Sequence, residues 1–280
     1  MKASPAPLPP LAEDAYLEKD DEISPDASAD RKFITALARG FEVLRAFKPG
    51  SGALGNQELS RITRIPKATV SRLTHTLSEL GYLRHLKAEG KYEPTESILA
   101  LGYAVLSNML VRQIAHGPMQ ELAMQHQVSV GLASRDRLSM IFVDVCNSRS
   151  LGTLRLEIGS RVPMPNTAVG RAFLAGVQEQ EREFFYERFE QRLGASRWAT
   201  LKGRVEDAIA QVEDRGFCYL EDEWHHGMRA VGTPLVSMDG QAVMGIMCGA
   251  PAFVVDREKL EGELGPRLAY LCSSLAPMLR

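Results

Sequence analysis

Lys67, Thr69, Ser71, Arg72 and His75 fall within nine residues, and every one ends in a hydrogen-bond donor. At 100° per residue, Ala68, Ser71, Arg72, His75 and Glu79 take one side of a helix whose other side carries Val70, Leu73, Leu77 and Leu80. Such a face can recognise a nucleic acid. A guanidinium at Arg72 can donate two hydrogen bonds to guanine O6 and N7. Ser71 and His75 can reach a base or a phosphate, and Lys67 and Thr69, near the positive helix end, suit a phosphate. Arg84, His85, Lys87 and Lys91 follow in YLRHLKAEGKYEP, where they can track a phosphate backbone. Catalysis finds no comparable support. The chain has no GxSxG elbow, no P-loop and no GxGxxG after a strand. His116, His126 and the pair His225-His226 lack a nucleophile partner, so no enzyme is expected.

These side chains need elements to position them. Phe33, Leu37, Phe41, Leu44 and Phe47 recur at three- and four-residue spacing and predict a first helix, ended by PGSG at 49–52. Asn56 is the expected N-cap of a second, short helix that turns Leu59 and Ile62 inward. Pro66 suits the first position of the third helix, and Gly81 its stop. Tyr82, Leu83, Leu86 and Tyr92 around a turn at 87–90 predict a hairpin. Three short helices and a basic hairpin make a winged helix-turn-helix, assigned to 31–94. Residues 95–111 read as a linker helix with Ile98, Leu101, Val105 and Met109 on one side. That side can pair with its own copy, as a winged helix reading a palindrome requires. From 112 to 280 strands and helices alternate. Strands are predicted at 128–134, 138–146, 151–159, 217–223, 229–236 and 242–250, and helices at 166–175, 178–191, 202–215 and 256–279. The fold class is α+β, its second part an α/β domain with a mostly antiparallel sheet, large enough to hold a small ligand.

Charge is distributed unevenly. Residues 1–30 hold 2 basic and 8 acidic side chains and lack periodicity, so an acidic disordered tail is expected. Residues 31–95 hold 12 basic and 5 acidic, whereas 96–280 hold 19 and 22. The basic excess is confined to the predicted winged helix, which points to a polyanion for that block alone. No apolar run spans a membrane and no signal-peptide pattern opens the chain, so a cytoplasmic protein without membrane contact is expected. Cys146, Cys218, Cys248 and Cys272 are far apart among apolar neighbours and read as buried, reduced thiols.

LARGFEVLRAF (37–47), LSRITRIPKATVSRLTHTLSELGYL (59–83), GSRVPMPNTAVGRAFLA (159–175) and RGFCYLEDEWHHGMRAVGTPL (215–235) resemble the isocitrate-lyase-regulator (IclR) family of bacterial transcription factors. The resemblance covers about 31–280. It implies a GAF-like effector domain, dimers or tetramers, a double-stranded DNA operator, and control by small organic acids or aromatic compounds, with no cofactor. The positions matching the family's ligand cavity are Leu151, Leu154, Val162, Asn166, Thr167, Ala168, Val169, Leu220, Met228, Ala230, Met247 and Gly249. Two departures stand out. Leu220 replaces a frequently acidic residue, and Met247 and Gly249 replace small hydroxyl residues common in members that bind glyoxylate-like acids. An aromatic or larger apolar carboxylate is therefore expected. The helix near Asn166 supplies amides for its charge. Two rival readings keep the DNA-binding role. One makes the second domain a ligand-free oligomerisation module. The other makes it metal-responsive through Glu221, Asp222, Glu223, His225 and His226, a cluster read here as a solvated loop edge and not as a metal site.

Overall fold

The computed structural model describes residues 32–148 and 156–279. The tail 1–30, Leu151, Leu154 and residues 151–155 of the strand predicted at 151–159 lie outside them. The chain divides into two compact units between Asn108 and Met109.

The first unit is a winged helix-turn-helix. Helix α1 (Thr35–Arg45) leads to a two-residue strand β1 (Leu54–Gly55), then α2 (Asn56–Thr63) and α3 (Lys67–Glu79). The wing is β2 (Leu83–Leu86) and β3 (Lys91–Pro94), with β3 central between β1 and β2. Val43, Leu59, Ile65, Val70, Leu77, Leu83 and Tyr92 form its core. Three sequence expectations shift. Gly55, not Asn56, caps α2, and the Glu58 carboxylate accepts the Gly55 amide at 2.8 Å. Pro66 stands at the N-cap of α3 and not within its first turn. Leu37, Phe41, Ile62 and Leu80 are exposed, Phe41 at 52% and Leu80 at 63%, because Val43, Ala46 and Thr74 take the inward positions instead. Helix α4 (Ser97–Asn108) closes the unit three residues short of the expected end at 111. Asn108 folds its Nδ2 back onto the Ala104 carbonyl at 2.7 Å, and Met109 turns extended.

The second unit opens with α5 (Leu110–His126), which takes the last two residues of the predicted linker helix and continues through 112–126, where no element was predicted. Its six strands are β4 (Ser129–Asp136), β5 (Ser139–Cys146), β6 (Arg161–Pro163), β7 (Cys218–Glu221), β8 (Met228–Val236) and β9 (Val243–Pro251). They lie in the order β6-β5-β4-β9-β8-β7, every pair antiparallel. The helices are α6 (Ala168–Gly176), α7 (Glu179–Leu193), α8 (Ala195–Arg215) and α9 (Gly265–Leu275). The helix expected at 256–279 is interrupted by a π-helical turn, Leu260–Leu264. Residues 156–160 form a turn in place of strand, since Gly159 takes φ +87° and the strand starts only at Arg161. Phe142, Met164, Phe173, Phe185, Phe189 and Trp198 share one apolar core between the sheet and α6–α8. Among the described residues no single helix is long and apolar enough to cross a membrane.

Helix α6 lies unusually close to the sheet. A Cβ at Gly232 of β8 would stand 2.2 Å from the Ala168 carbonyl oxygen, and one at Gly170 would stand 2.0 Å from that of Met164. The missing side chain at Gly232 lets the start of α6 rest on β8, and the one at Gly170 lets α6 lie against the segment that leads into it.

Candidate functional site

The donors on α3 share an exposed face. Lys67, Ser71, Arg72 and His75 are exposed and Thr69 is half-buried. Thr74, on the inward side, gives its hydroxyl to Asn56 Oδ1 at 3.0 Å and so ties α3 to α2. The turn between these helices is held by Ser60 Oγ on the Ile65 carbonyl at 2.6 Å, with Arg64 left-handed at φ 57°. In the wing, Arg84 pairs with Glu93 at 3.0 Å and Glu96 at 3.4 Å, and Lys91 approaches Glu58 at 3.9 Å. Both cations are thus partly committed to carboxylates. Lys87 stands exposed in the turn, and His85 stacks on Tyr92 with centroids 4.6 Å apart.

In the second unit, Val162, Asn166, Thr167, Ala168, Val169, Leu220, Met228, Ala230, Met247 and Gly249 line one small, partly open cavity. Phe142, Glu223, Trp224 and Arg229 complete its wall. The helix at this site begins at Ala168, two residues after the expected start, with Thr167 as N-cap. Thr167 Oγ1 accepts the Gly170 amide at 3.3 Å and donates to the Pro163 carbonyl at 2.7 Å. The amides of Ala168 and Val169, in the first turn of α6, have no acceptor within the helix. Asn166 Oδ1 is buried without a hydrogen-bond partner. Such an orphan costs about 1–3 kcal/mol. A half-turn of the carboxamide would present two N–H donors instead.

The charged side chains of the wall are already engaged. Glu223 receives Arg171 at 2.9 Å and Arg204 at 3.1 Å. The Arg171 guanidinium is itself buried and also donates to the Pro165 carbonyl at 2.7 Å. Arg229 donates to Glu221 at 2.7 Å, which raises its pKa, and reaches the carbonyls of Ala252 and Val255. The solvated-edge reading of 221–226 therefore holds only in part. Exposed His226 lies 3.5 Å from Asp222, but Glu223 turns inward because two guanidiniums draw it there, and Trp224 packs on the core. Nothing in the local sequence signals this, since both cations lie on other elements. Among the described residues no group of three or more His, Cys, Asp or Glu side chains is disposed to hold a metal ion.

All four cysteines are buried and unpaired. Cys146 lies 3.7 Å from His116 Nδ1, which sits 2.9 Å from the buried Asp144. The same ring nitrogen faces both groups, and burial together with Asp144 pushes the thiol up to about 12, so Cys146 stays protonated at neutral pH.

Residues 36–87 match the IclR helix-turn-helix domain, and residues 103–273 match the C-terminal domain of bacterial transcriptional regulators of the IclR type. The chain is similar to the HTH-type transcriptional regulator TsaQ1/TsaQ2 of Comamonas testosteroni, with 30% identity over 249 residues covering 88% of this chain and 89% of that protein. It is also similar to the Pca regulon regulatory protein of Pseudomonas putida, with 27% identity over 254 residues covering 90% and 86%. Among solved structures, an IclR family transcriptional regulator from Brucella abortus is 42% identical, with a TM-score of 0.80 and coverage of 92% of this chain and 97% of that one.

Proposed function

The chain belongs to the IclR family of bacterial transcriptional regulators, and from that premise we propose that it binds a palindromic operator as a homo-oligomer, in the cytoplasm, under the control of a carboxylate with a large apolar or aromatic body. The DNA contacts of this reading are Lys67, Thr69, Ser71, Arg72 and His75 on α3, with Lys87 at the wing. Arg84 and Lys91 contribute once they release their carboxylate partners.

The cavity at the start of α6 carries the effector half of the reading. Its lining is largely apolar, its charged side chains are paired within the protein, and its uncommitted polar groups are the first amides of α6 and the Asn166 carboxamide. A helix N-terminus favours an anion. An apolar remainder favours a hydrocarbon body over a two- or three-carbon acid.

Helix α4 supports the homo-oligomer. Its sequence, SILALGYAVLSN, is strongly apolar, yet none of its residues is buried, with Leu99 71%, Tyr103 68% and Val105 62% exposed. A helix apolar all round belongs inside a packed interface. Leu101 also borders an apolar groove shared with α1 and α3.

Fluorescence anisotropy tests the proposal. The full chain is titrated onto the intergenic duplex beside its own gene, with a scrambled duplex as control, at several salt concentrations and with and without benzoate. Tight binding to the first duplex alone, with a steep salt slope and a shift on adding the acid, is the expected outcome. Sequence-dependent binding that no carboxylate alters would favour an oligomerisation module without a ligand.

A further inference from the structure

We propose that Trp224 is the specificity-determining residue of the α6 cavity, and that it makes the cavity select a planar aromatic ring over an aliphatic body of the same size. The inference rests on the carboxylate reading above.

Trp224 lies in the connection between β7 and β8, and its indole is turned inward onto the core as well as onto the cavity. Neighbouring groups fix it. Glu223 is held by Arg171 at 2.9 Å and Arg204 at 3.1 Å. Asp222 Oδ1 accepts the Gly227 amide across the same turn at 2.5 Å. The imidazole of His225 packs on the indole with centroids 4.1 Å apart. Arg171 also holds the Pro165 carbonyl, next to Asn166, so one buried guanidinium ties the acid-binding end of the cavity to the segment that carries the indole. The other apolar side chains include Met228 and Met247, whose thioethers adapt to any shape. A rigid indole face does not adapt. It rewards a ring that can lie offset or edge-on to it, by about threefold to tenfold in affinity beyond simple burial.

Calorimetric titration of the full chain with benzoate, cyclohexanecarboxylate and pyruvate tests this in wild type, Trp224→Phe and Trp224→Leu. The expected result is a preference of wild type for benzoate over cyclohexanecarboxylate of about threefold to tenfold. Trp224→Phe should keep the preference. Trp224→Leu, which keeps bulk but removes the aromatic face, should erase it while still binding cyclohexanecarboxylate. Equal affinities of wild type for the two ring acids, or a preference that survives in Trp224→Leu, would overturn the role of Trp224 and leave the carboxylate reading standing. Binding of pyruvate alone, or of none of the three, would overturn both. Because Phe142 gives the wall a second ring, Trp224→Met takes the place of the leucine variant where that variant fails to fold, with the same outcomes.

Discussion

Arg72 and Lys67 sit five positions apart on α3, and their chemistry separates their roles. A guanidinium paired to guanine carries sequence information, whereas an ammonium on a phosphate carries none. Arg72→Ala should therefore cost about 1–3 kcal/mol on the operator and relax one base position. Lys67→Ala should weaken operator and scrambled DNA alike and lower the salt slope by about one unit. Anisotropy titrations on duplexes with single base changes separate the two, and unchanged operator affinity in Arg72→Ala would rule out base reading there. The cysteines give a second prediction at this scale. Burial pushes Cys146 and Cys248 from 9.0 to about 12 and Cys218 to about 11. The folded values exceed the unfolded one, so the protonated thiols favour the fold below pH ~9, and that contribution is lost as pH rises towards the folded values. A chromogenic disulfide reagent near neutral pH should find no reactive thiol in the native protein and all four after denaturation. Rapid reaction of any thiol in the native state would contradict its burial.

At the scale of elements, the glycine contact between α6 and β8 joins two segments far apart in the sequence. NTAVGRA supplies the helix start, AVGTPL supplies the strand, and Gly232 is where they touch. Gly232→Ala would force a methyl against the Ala168 carbonyl, and an overpacked core site costs about 1–3 kcal/mol. The variant should show a lowered denaturation midpoint and weakened binding of any acid that uses the α6 amides. A wild-type midpoint would mean that the helix start shifts freely and does not fix the cavity. Most of these elements are legible in the sequence, because α3 carries an apolar stripe at helical spacing and β9 a short continuous apolar run. Helix α5 is not. Its buried positions Val111, Ala115, Met119 and Ala123 are mostly small, and Gly117 and Pro118 interrupt them, so neither propensity nor hydrophobicity announces a helix. The cavity lining follows the family resemblance, yet Phe142, Glu223, Trp224 and Arg229 escape it. Glu223 is placed by Arg171 and Arg204, and Arg229 by Glu221 across the β7–β8 pair, partners that no local pattern connects to them, whereas Phe142 and Trp224 pack on the apolar core.

For the molecule as a whole, the proposed function gives α4 two tasks that can be separated. The first is assembly. Leu99→Glu with Val105→Glu places charge where a partner must cover apolar surface, so sedimentation should report a smaller species and operator affinity should fall. An unchanged sedimentation profile would move the interface elsewhere. The second task is communication. A ligand shifts DNA affinity only if it binds two arrangements of the assembly unequally. On the proposed reading, ligand affinity is set at the α6 cavity. The response depends on how far the arrangements differ in free energy, and α4, whose last residue Asn108 ends the first unit, is the lever we propose for that difference. Exchanging Ile98, Leu101 and Val105 for alanine changes what α4 packs against and leaves the cavity lining untouched. The acid's dissociation constant measured without DNA should then stay within about twofold, while the factor by which it changes operator affinity should shift several-fold, a coupling change of about 0.5–2 kcal/mol. Loss of acid binding in step with the response would place α4 in the binding site itself and remove it as the lever.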